Sequence, residues 1–279
     1  MKNIYDKLST NVSSSVMYEY STSFYLSTFL LSKKMKEAIY SIYAFVRLAD
    51  EIVDSFHDYD KEKLLNDFHK EFDTSIKQKI SLNPIFNSFQ STYHKYNFEY
   101  ELVDCFLNSM RLDLQKQSYD SNMFSKYIYG SSEVVGLMCL KVFVKGNSKK
   151  YNQLKPYAVS LGAAFQKVNF LRDIDHDIKT LNRDYFNLNS SEKISEEIKK
   201  EIILDIKNDF KHALTGIKLL DKNVQFGVYT AYLFYQELLS KIEIIEASEL
   251  FKKRISVINY KKIILLFKSI LNISLNLKF

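Results

Sequence analysis

The stretch Ile39-Tyr40-Ser41-Ile42-Tyr43-Ala44-Phe45-Val46-Arg47-Leu48-Ala49-Asp50-Glu51-Ile52-Val53-Asp54 decides the fold class. Its first eight residues are apolar nearly all round a helix, which marks a helix buried in the centre of a domain. Arg47, Asp50, Glu51 and Asp54 come straight out of that run. At ~100° per residue, Tyr43, Arg47, Asp50/Glu51 and Asp54 form one stripe. Asp50 and Asp54 then stand about 6 Å apart along the helix axis. Like charges at that spacing destabilise a helix, so a compensating cation is expected. Arg47 is one candidate and a divalent metal is another.

Composition agrees with helices. The 279 residues include six Gly, two Pro and no Trp, yet 20 Tyr and 21 Phe. Tight strand connections consume Gly, Pro, Asn-Gly and Asp-Gly. Their scarcity excludes a sandwich, barrel or propeller. The absence of G-x-G-x-x-G and G-x-x-x-x-G-K-[ST] argues against a doubly wound nucleotide-binding sheet. The expected class is all-α, read as a single domain over 1–279. The net charge of +6 suits anionic small molecules or an anionic membrane surface. The basic residues are scattered among acidic ones, which argues against nucleic acid. Cys105 and Cys139 lack metal spacing and read as two buried thiols in a reducing cytoplasm. The N-terminus has no signal-peptide pattern, and no run of about 18 apolar residues spans a bilayer.

Helical periodicity recurs over 16–31, 34–56, 61–79, 85–97, 99–118, 122–144, 150–181, 194–220, 223–247 and 256–277. Glu192 to Asp209 reads as a solvated helix face, and Lys141, Lys145, Lys149, Lys150 and Lys155 as a surface loop. The segment Ile255 to Phe279 carries Lys261, Lys262, Lys268 and Lys278 among Ile, Leu and Phe. It can lie in a membrane interface as a peripheral contact or pack as the last bundle helix; packing is favoured.

A second polar stripe follows Val159-Ser160-Leu161-Gly162-Ala163-Ala164-Phe165. Asn169, Asp173 and Asp177 recur at i, i+4 and i+8, flanked by Gln166 and Arg172. Hard oxygen ligands without His or Cys suit Mg²⁺ or Mn²⁺ rather than zinc. His176 beside Asp177 has no second His cluster to complete a hydrolase site. Two facing carboxylate stripes could hold metals that clamp a diphosphate, with Arg47 and Arg172 bonding the same group. Metal and Arg would neutralise the charge on a departing diphosphate. Phe and Tyr faces would stabilise the allylic cation left behind without trapping it.

These residues resemble the squalene/phytoene synthase family of head-to-head prenyltransferases. Ser21-Thr22-Ser23-Phe24 looks like its S-x-S-F motif, and Tyr43 to Asp54 is similar to Y-A-F-x-R-x-x-D-[DE]-x-x-D. Met110-Arg111-Leu112-Asp113-Leu114 matches a third patch, and Tyr127 to Met138 looks like the bacterial phytoene synthase version of a fourth. Leu161 to Asp177, then Arg183 and Tyr185, is similar to L-G-x-A-F-Q-x-x-N-x-x-R-D-x-x-x-D…G-R-x-Y-x-P. The resemblance implies an isoprenoid-synthase helical bundle with the Asp stripes facing each other across a deep apolar cavity. It implies Mg²⁺ bound by Asp50, Asp54, Asn169, Asp173 and Asp177. Substrate contacts are implied for Ser21, Ser23, Phe24, Tyr43, Arg47, Gln166, Arg172, Arg183 and Tyr185. The implied reaction joins two prenyl diphosphates through a cyclopropyl diphosphate. The product is phytoene from geranylgeranyl diphosphate, or dehydrosqualene from farnesyl diphosphate, or squalene where NADPH reduces the intermediate. Asn182 departs from the family's Gly, Asn187 from its Pro, and Glu51 from the Asp common in close relatives. A cyclase or head-to-tail elongase usually carries D-D-x-x-D, which neither stripe has. An inactive helical scaffold in a pathway assembly is opposed by the intact aspartates.

Overall fold

The computed structural model describes residues 1–115, 117–188 and 194–275. Twelve α-helices dominate these residues: α1 Lys2–Tyr20, α2 Thr22–Thr28, α3 Lys33–Asp54, α4 Lys61–Gln78, α5 Pro84–Lys95, α6 Tyr100–Leu112, α7 Ser121–Ile128, α8 Val134–Phe143, α9 Ser148–Lys179, α10 Glu196–Leu219, α11 Lys222–Ile244 and α12 Asn259–Ser274. A π-helical turn, Tyr129–Glu133, joins α7 to α8, and a 3₁₀ turn, Ala247–Phe251, precedes α12.

The all-α expectation holds, with local corrections. The first helix begins at Lys2, well before residue 16, and Ser21 separates it from α2. Ser21 is extended and its side chain accepts from the Phe24 N–H at 3.2 Å. That bond caps α2 and breaks the chain into two helices. The expected helix over 99–118 stops at Leu112. Beyond it, Gln117–Ser118 (β1) pairs in parallel with Arg183–Asp184 (β2). This two-residue ladder ties the end of α6 to the loop after α9. The lysines expected in a surface loop lie mostly on helices: Lys141 on α8, and Lys149, Lys150 and Lys155 on α9. The expected solvated face over 192–209 is only partly so. Lys199 is buried, and Asp205 and Asp209 pair with Lys167 of α9. Residues 192 and 193 lie outside the described ones. Cys105 and Cys139 are free but half-buried rather than buried.

Phenylalanine fills the core. Phe45, fully buried on α3, stacks on Phe89 at 3.9 Å and meets the rings of Phe68, Phe72 and Phe86. These contacts fix α3 against α4 and α5, so its other edge, with Asp50 and Asp54, faces inward to a cavity. The helix that bears the second stripe is set by glycine. A Cβ at Gly162 would lie 2.9 Å from the Ser132 carbonyl oxygen and 3.1 Å from Glu133 Cα. One at Gly136 would lie 3.0 Å from the Ala158 carbonyl oxygen. Backbone atoms cannot swing aside as side chains do, so this helix contact requires both residues to lack a side chain. Gly162→Val is expected to lower stability by about 1–3 kcal/mol through overpacking. Its denaturation midpoint, measured beside the wild type, checks this; an unchanged midpoint would disprove the close crossing.

Candidate active site

A cavity of about 460 Å³ runs between α2, α3, α8, α9, α10 and α11. It is lined by Ser21, Phe24, Tyr43, Arg47, Asp50, Asp54, Gln166, Asn169, Arg172, Asp173, Asp177, Arg183 and Tyr185. The structure therefore brings together every residue implied to hold metal or substrate except one. Ser23 sits half-buried on α2 and is not part of this lining. The carboxylates gather at one end. The cavity continues between Cys139, Leu140, Phe143 and Leu154. Leu154 precedes Asp173 on α9 by 19 residues, roughly 28 Å at the helical rise. Polar groups at one end and an apolar slot beyond them suit an amphiphile with an anionic head.

Cations meet the carboxylates in an arrangement that the stripes alone did not indicate. Arg47 pairs with Glu51 on its own helix and lies 4.5 Å from the Tyr20 ring centroid. The partner of Asp54 is Arg183, whose Nη1 donates to Asp54 Oδ1 at 2.6 Å. Arg183 is buried, and its Nη2 also donates to the Asp113 carbonyl oxygen at 3.1 Å. Its Nε lies 3.4 Å from Asp113 Oδ1, an ion pair without hydrogen-bond geometry. Asp113 is itself buried and accepts from the Tyr127 hydroxyl at 2.7 Å and the Tyr185 hydroxyl at 3.4 Å. On the opposite wall, Arg172 Nε donates to Asp173 at 3.0 and 3.1 Å. Arg254, from the segment before α12, reaches Asp173 Oδ1 at 2.7 Å.

Asn182 explains how Arg183 arrives. Its φ of 54° is left-handed, a region that Asn visits more readily than other non-glycine residues. It therefore supplies a left-handed turn of the kind that glycine adopts most readily. Asn187, with φ 51°, adopts a conformation closed to the proline ring, which locks φ near about −65°. The loop beyond Tyr185 thus takes a course that a Pro-bearing relative cannot follow.

Aromatic rings line the same space. Phe24 lies 6.1 Å from Tyr43, 5.9 Å from Phe165 and 5.6 Å from Tyr235 between centroids, and Phe165 stacks on Tyr235 at 4.1 Å. The Tyr235 hydroxyl donates to Asn169 Oδ1 at 3.3 Å. Tyr235 and Arg254 went unnoticed in the sequence, because Tyr235 stands in an apolar run without motif spacing and Arg254 in a basic run, Lys252-Lys253-Arg254, far along the chain from either stripe. Asp113 was visible only within its short patch.

The electrostatics are those of an acid-rich site inside an apolar shell. Burial and then the neighbouring Asp54 push the Asp50 carboxyl up to about 8. Burial and then Asp173 push Asp177 up to about 8 as well. Asp173 is held low despite its burial, by hydrogen bonds and charge from Arg172 and Arg254. Burial raises Asp113 to about 7, against the pull of Arg183. Asp54 and Asp113 both raise Asp177, so the two stripes feel each other across the cavity.

Among the described residues, no three His, Cys, Asp or Glu side chains converge into a protein-only metal cage. That donor set still fits Mg²⁺, which takes one or two carboxylates and completes its shell with water and phosphate oxygens. Asp50 and Asp177, short of positive charge, are the oxygens with most to gain from a cation.

A family model described as squalene/phytoene synthase matches residues 17–261. The chain belongs to the squalene/phytoene synthase family. The family condenses prenyl diphosphates head to head and typically uses Mg²⁺. Similar proteins include a phytoene synthase of Arthrospira platensis, 26% identical over 89% of this chain and 88% of that one. A chloroplastic phytoene synthase 2 of Oryza sativa subsp. japonica is 27% identical over 89% of this chain and 67% of its own length. Among solved structures, a dehydrosqualene synthase superposes with a TM-score of 0.80 at 19% identity, covering 96% of this chain and 98% of that one. The squalene synthase HpnC of Alicyclobacillus acidocaldarius gives 0.73 at 18% identity, over 86% and 94%. The first of these likenesses extends the shared fold over 96% of the chain.

The raised carboxyls give a pH signature. In the metal-free fold, Asp50 and Asp177 keep their protons to about pH 8, against an ordinary value of 3.8 in the unfolded chain. Between those values the folded state binds more protons, so stability falls as pH rises. The metal-free protein should melt lower at about pH 8.5 than at about pH 6. Calorimetry in chelator measures this, and Asp50→Asn, with no proton to lose, should make the slope shallower. A slope that Asp50→Asn leaves unaltered would contradict the assignment.

Proposed function

We propose that the protein joins two geranylgeranyl diphosphates into phytoene, with release of diphosphate. The observation that carries the reading is one cavity that holds carboxylates and arginines together with an aromatic and then aliphatic lining. Asp50, Asp54, Asn169, Asp173 and Asp177 are the proposed holders of Mg²⁺, for which Mn²⁺ may be substituted. Bound there with the substrate's phosphates, the metal supplies Lewis-acid charge to the leaving group.

The chain's own residues supply the rest. Arg47 and Arg172 hold the diphosphate as its allylic C–O bond breaks and the electron pair leaves with oxygen. Ser21, Ser23, Gln166 and Tyr185 are the further proposed substrate contacts. Phe24, Tyr43, Phe165 and Tyr235 present ring faces to the carbocation and exclude water that would quench it. The double bond of the second substrate donates its electron pair to the cation, and loss of a proton closes the cyclopropane; the cyclopropyl diphosphate then loses its own diphosphate, rearranges and sheds a second proton to give phytoene. Arg183 stands between Asp54 and Asp113, so it holds a metal-site carboxylate in position as well as facing substrate.

The choice of geranylgeranyl diphosphate rests on the Tyr127–Met138 segment and on the phytoene synthases among the similar sequences. A dehydrosqualene or squalene synthase acting on farnesyl diphosphate is the second reading, favoured by the solved structures it resembles. Incubation with labelled geranylgeranyl and farnesyl diphosphates, with and without NADPH, followed by product mass, separates them. Phytoene without NADPH is expected. Dehydrosqualene without NADPH would move the assignment to the shorter substrate, and squalene only with NADPH would make the protein a squalene synthase.

Asp50→Asn and Asp173→Asn should each abolish turnover while leaving helicity intact, as circular dichroism would record. Retained activity would overturn the metal assignment. Asp113→Asn should lower turnover by about tenfold or more, because an Arg183 relieved of one buried carboxylate no longer fixes Asp54.

A further inference from the structure

The last helix is mounted inside out. The face of α12 that packs on the bundle carries Lys262, Leu265, Ser269 and Ile273. Three of its inner or flanking residues are polar and satisfied by protein groups. Lys262 reaches the Thr22 hydroxyl, Ser269 donates to the Phe226 carbonyl oxygen, and Asn272 donates to the Tyr229 hydroxyl. The opposite face carries Tyr260, Ile263, Ile264, Phe267, Leu271 and Leu275, each more than half exposed. At ~100° per residue these six form one continuous stripe. Scattered exposed apolar residues are ordinary, but a continuous apolar helix face turned outward marks an interaction surface.

Charge identifies what covers it. From residue 250 onward the chain has seven Lys or Arg and no Asp or Glu. With 39 basic and 33 acidic residues in total, the first 249 residues hold 32 and 33, a net of −1. Of the seven, Lys252 and Lys253 pair with Glu249, Arg254 pairs with Asp173 and Lys262 is buried, so among the described residues Lys261 and Lys268 are the ones that border the apolar stripe. Lys261 and Lys268 fall along one flank of the apolar stripe. Lys268 is exposed, and Lys261 is half-exposed at 3.6 Å from Glu237. Long cationic side chains beside an apolar helix face match a lipid interface, where stems lie against acyl chains and ammonium groups meet headgroup phosphates. Among the described residues no helix is long and apolar enough to cross a membrane, so contact would lie in the interface plane.

We infer that the outward face of α12, with its flanking lysines, docks the protein on an anionic lipid bilayer. The bundle stays outside, while Ile264, Phe267 and Leu271 insert among the acyl chains. Lys262 packs between α12 and α2, a cavity-wall helix, so the docked helix is continuous with the walls around the cavity.

The test uses the full chain and needs no turnover, so it stands or falls apart from the proposed reaction. Sedimentation with vesicles of phosphatidylglycerol and phosphatidylcholine should pull down the wild type. Pure phosphatidylcholine vesicles, or high salt, should weaken binding by about tenfold. The triple variant Ile264→Ser/Phe267→Ser/Leu271→Ser should lose about tenfold or more of the binding to anionic vesicles, while keeping its melting temperature and helical circular dichroism. Lys261→Glu/Lys268→Glu provides a second variant that leaves the apolar stripe intact, and should also lose affinity. Equal binding by all variants, or no binding by the wild type, overturns the inference. Concentration-dependent dimerisation abolished by the triple variant, without vesicle binding, would also overturn it and assign the face to a second copy of the chain.

Discussion

Carboxylates inside an apolar helical shell require cations, and the contact of Arg183 with Asp54 and Asp113 meets that requirement at the centre of this molecule. Isolated burial of an ionised carboxyl is costly enough that the group keeps its proton instead. Asp54 and Asp113 escape part of that cost because one guanidinium serves both. Asp50 and Asp177 form no such ion pair among the described residues, and burial drives their carboxyls up to about 8, as it drives Asp113 up to about 7. The site is thus unevenly compensated. Arginines hold Asp54 and Asp173 in fixed geometry, while Asp50 and Asp177 have no ion pair among the described residues.

Everything that delivers Arg183 follows from this contact. The left-handed Asn182 turns the chain at the end of α9, and the two-residue ladder with Gln117–Ser118 fixes the strand that carries Arg183. Tyr127 and Tyr185 bond both oxygens of Asp113 and stack on each other at 5.1 Å between centroids. Removal of one partner from such a network leaves a buried group unsatisfied, which costs more than the net worth of the bond itself. Site geometry and fold stability meet in the same few residues.

The two polar stripes were legible in the sequence because a helix converts spacing into direction. Asp50 and Asp54, and Asn169, Asp173 and Asp177, lie on the faces that their i, i+4 spacing requires. The cation that compensates Asp54 was not legible. Arg47 is the nearest in sequence, yet it turns to Glu51 and Tyr20, whereas Arg183 comes from 129 residues away. Tyr235 and Arg254 were missed for the same reason, since their partners Asn169 and Asp173 are remote in the chain. The break at Ser21 was missed because a single capping serine interrupts an otherwise periodic run.

By itself the sequence determined the all-α class, the two carboxylate faces, the family and the aromatic character of the interior. These properties reside in composition and short-range periodicity, which survive any arrangement of the helices. Only the tertiary structure decided which arginine serves which carboxylate, which aspartates remain uncompensated, and how deep the apolar slot extends. It also decided that α12 turns its polar side inward, against the preference of its own amphipathic pattern. Those outcomes depend on contacts between residues tens to hundreds of positions apart, and periodicity along one helix carries no information about its neighbours.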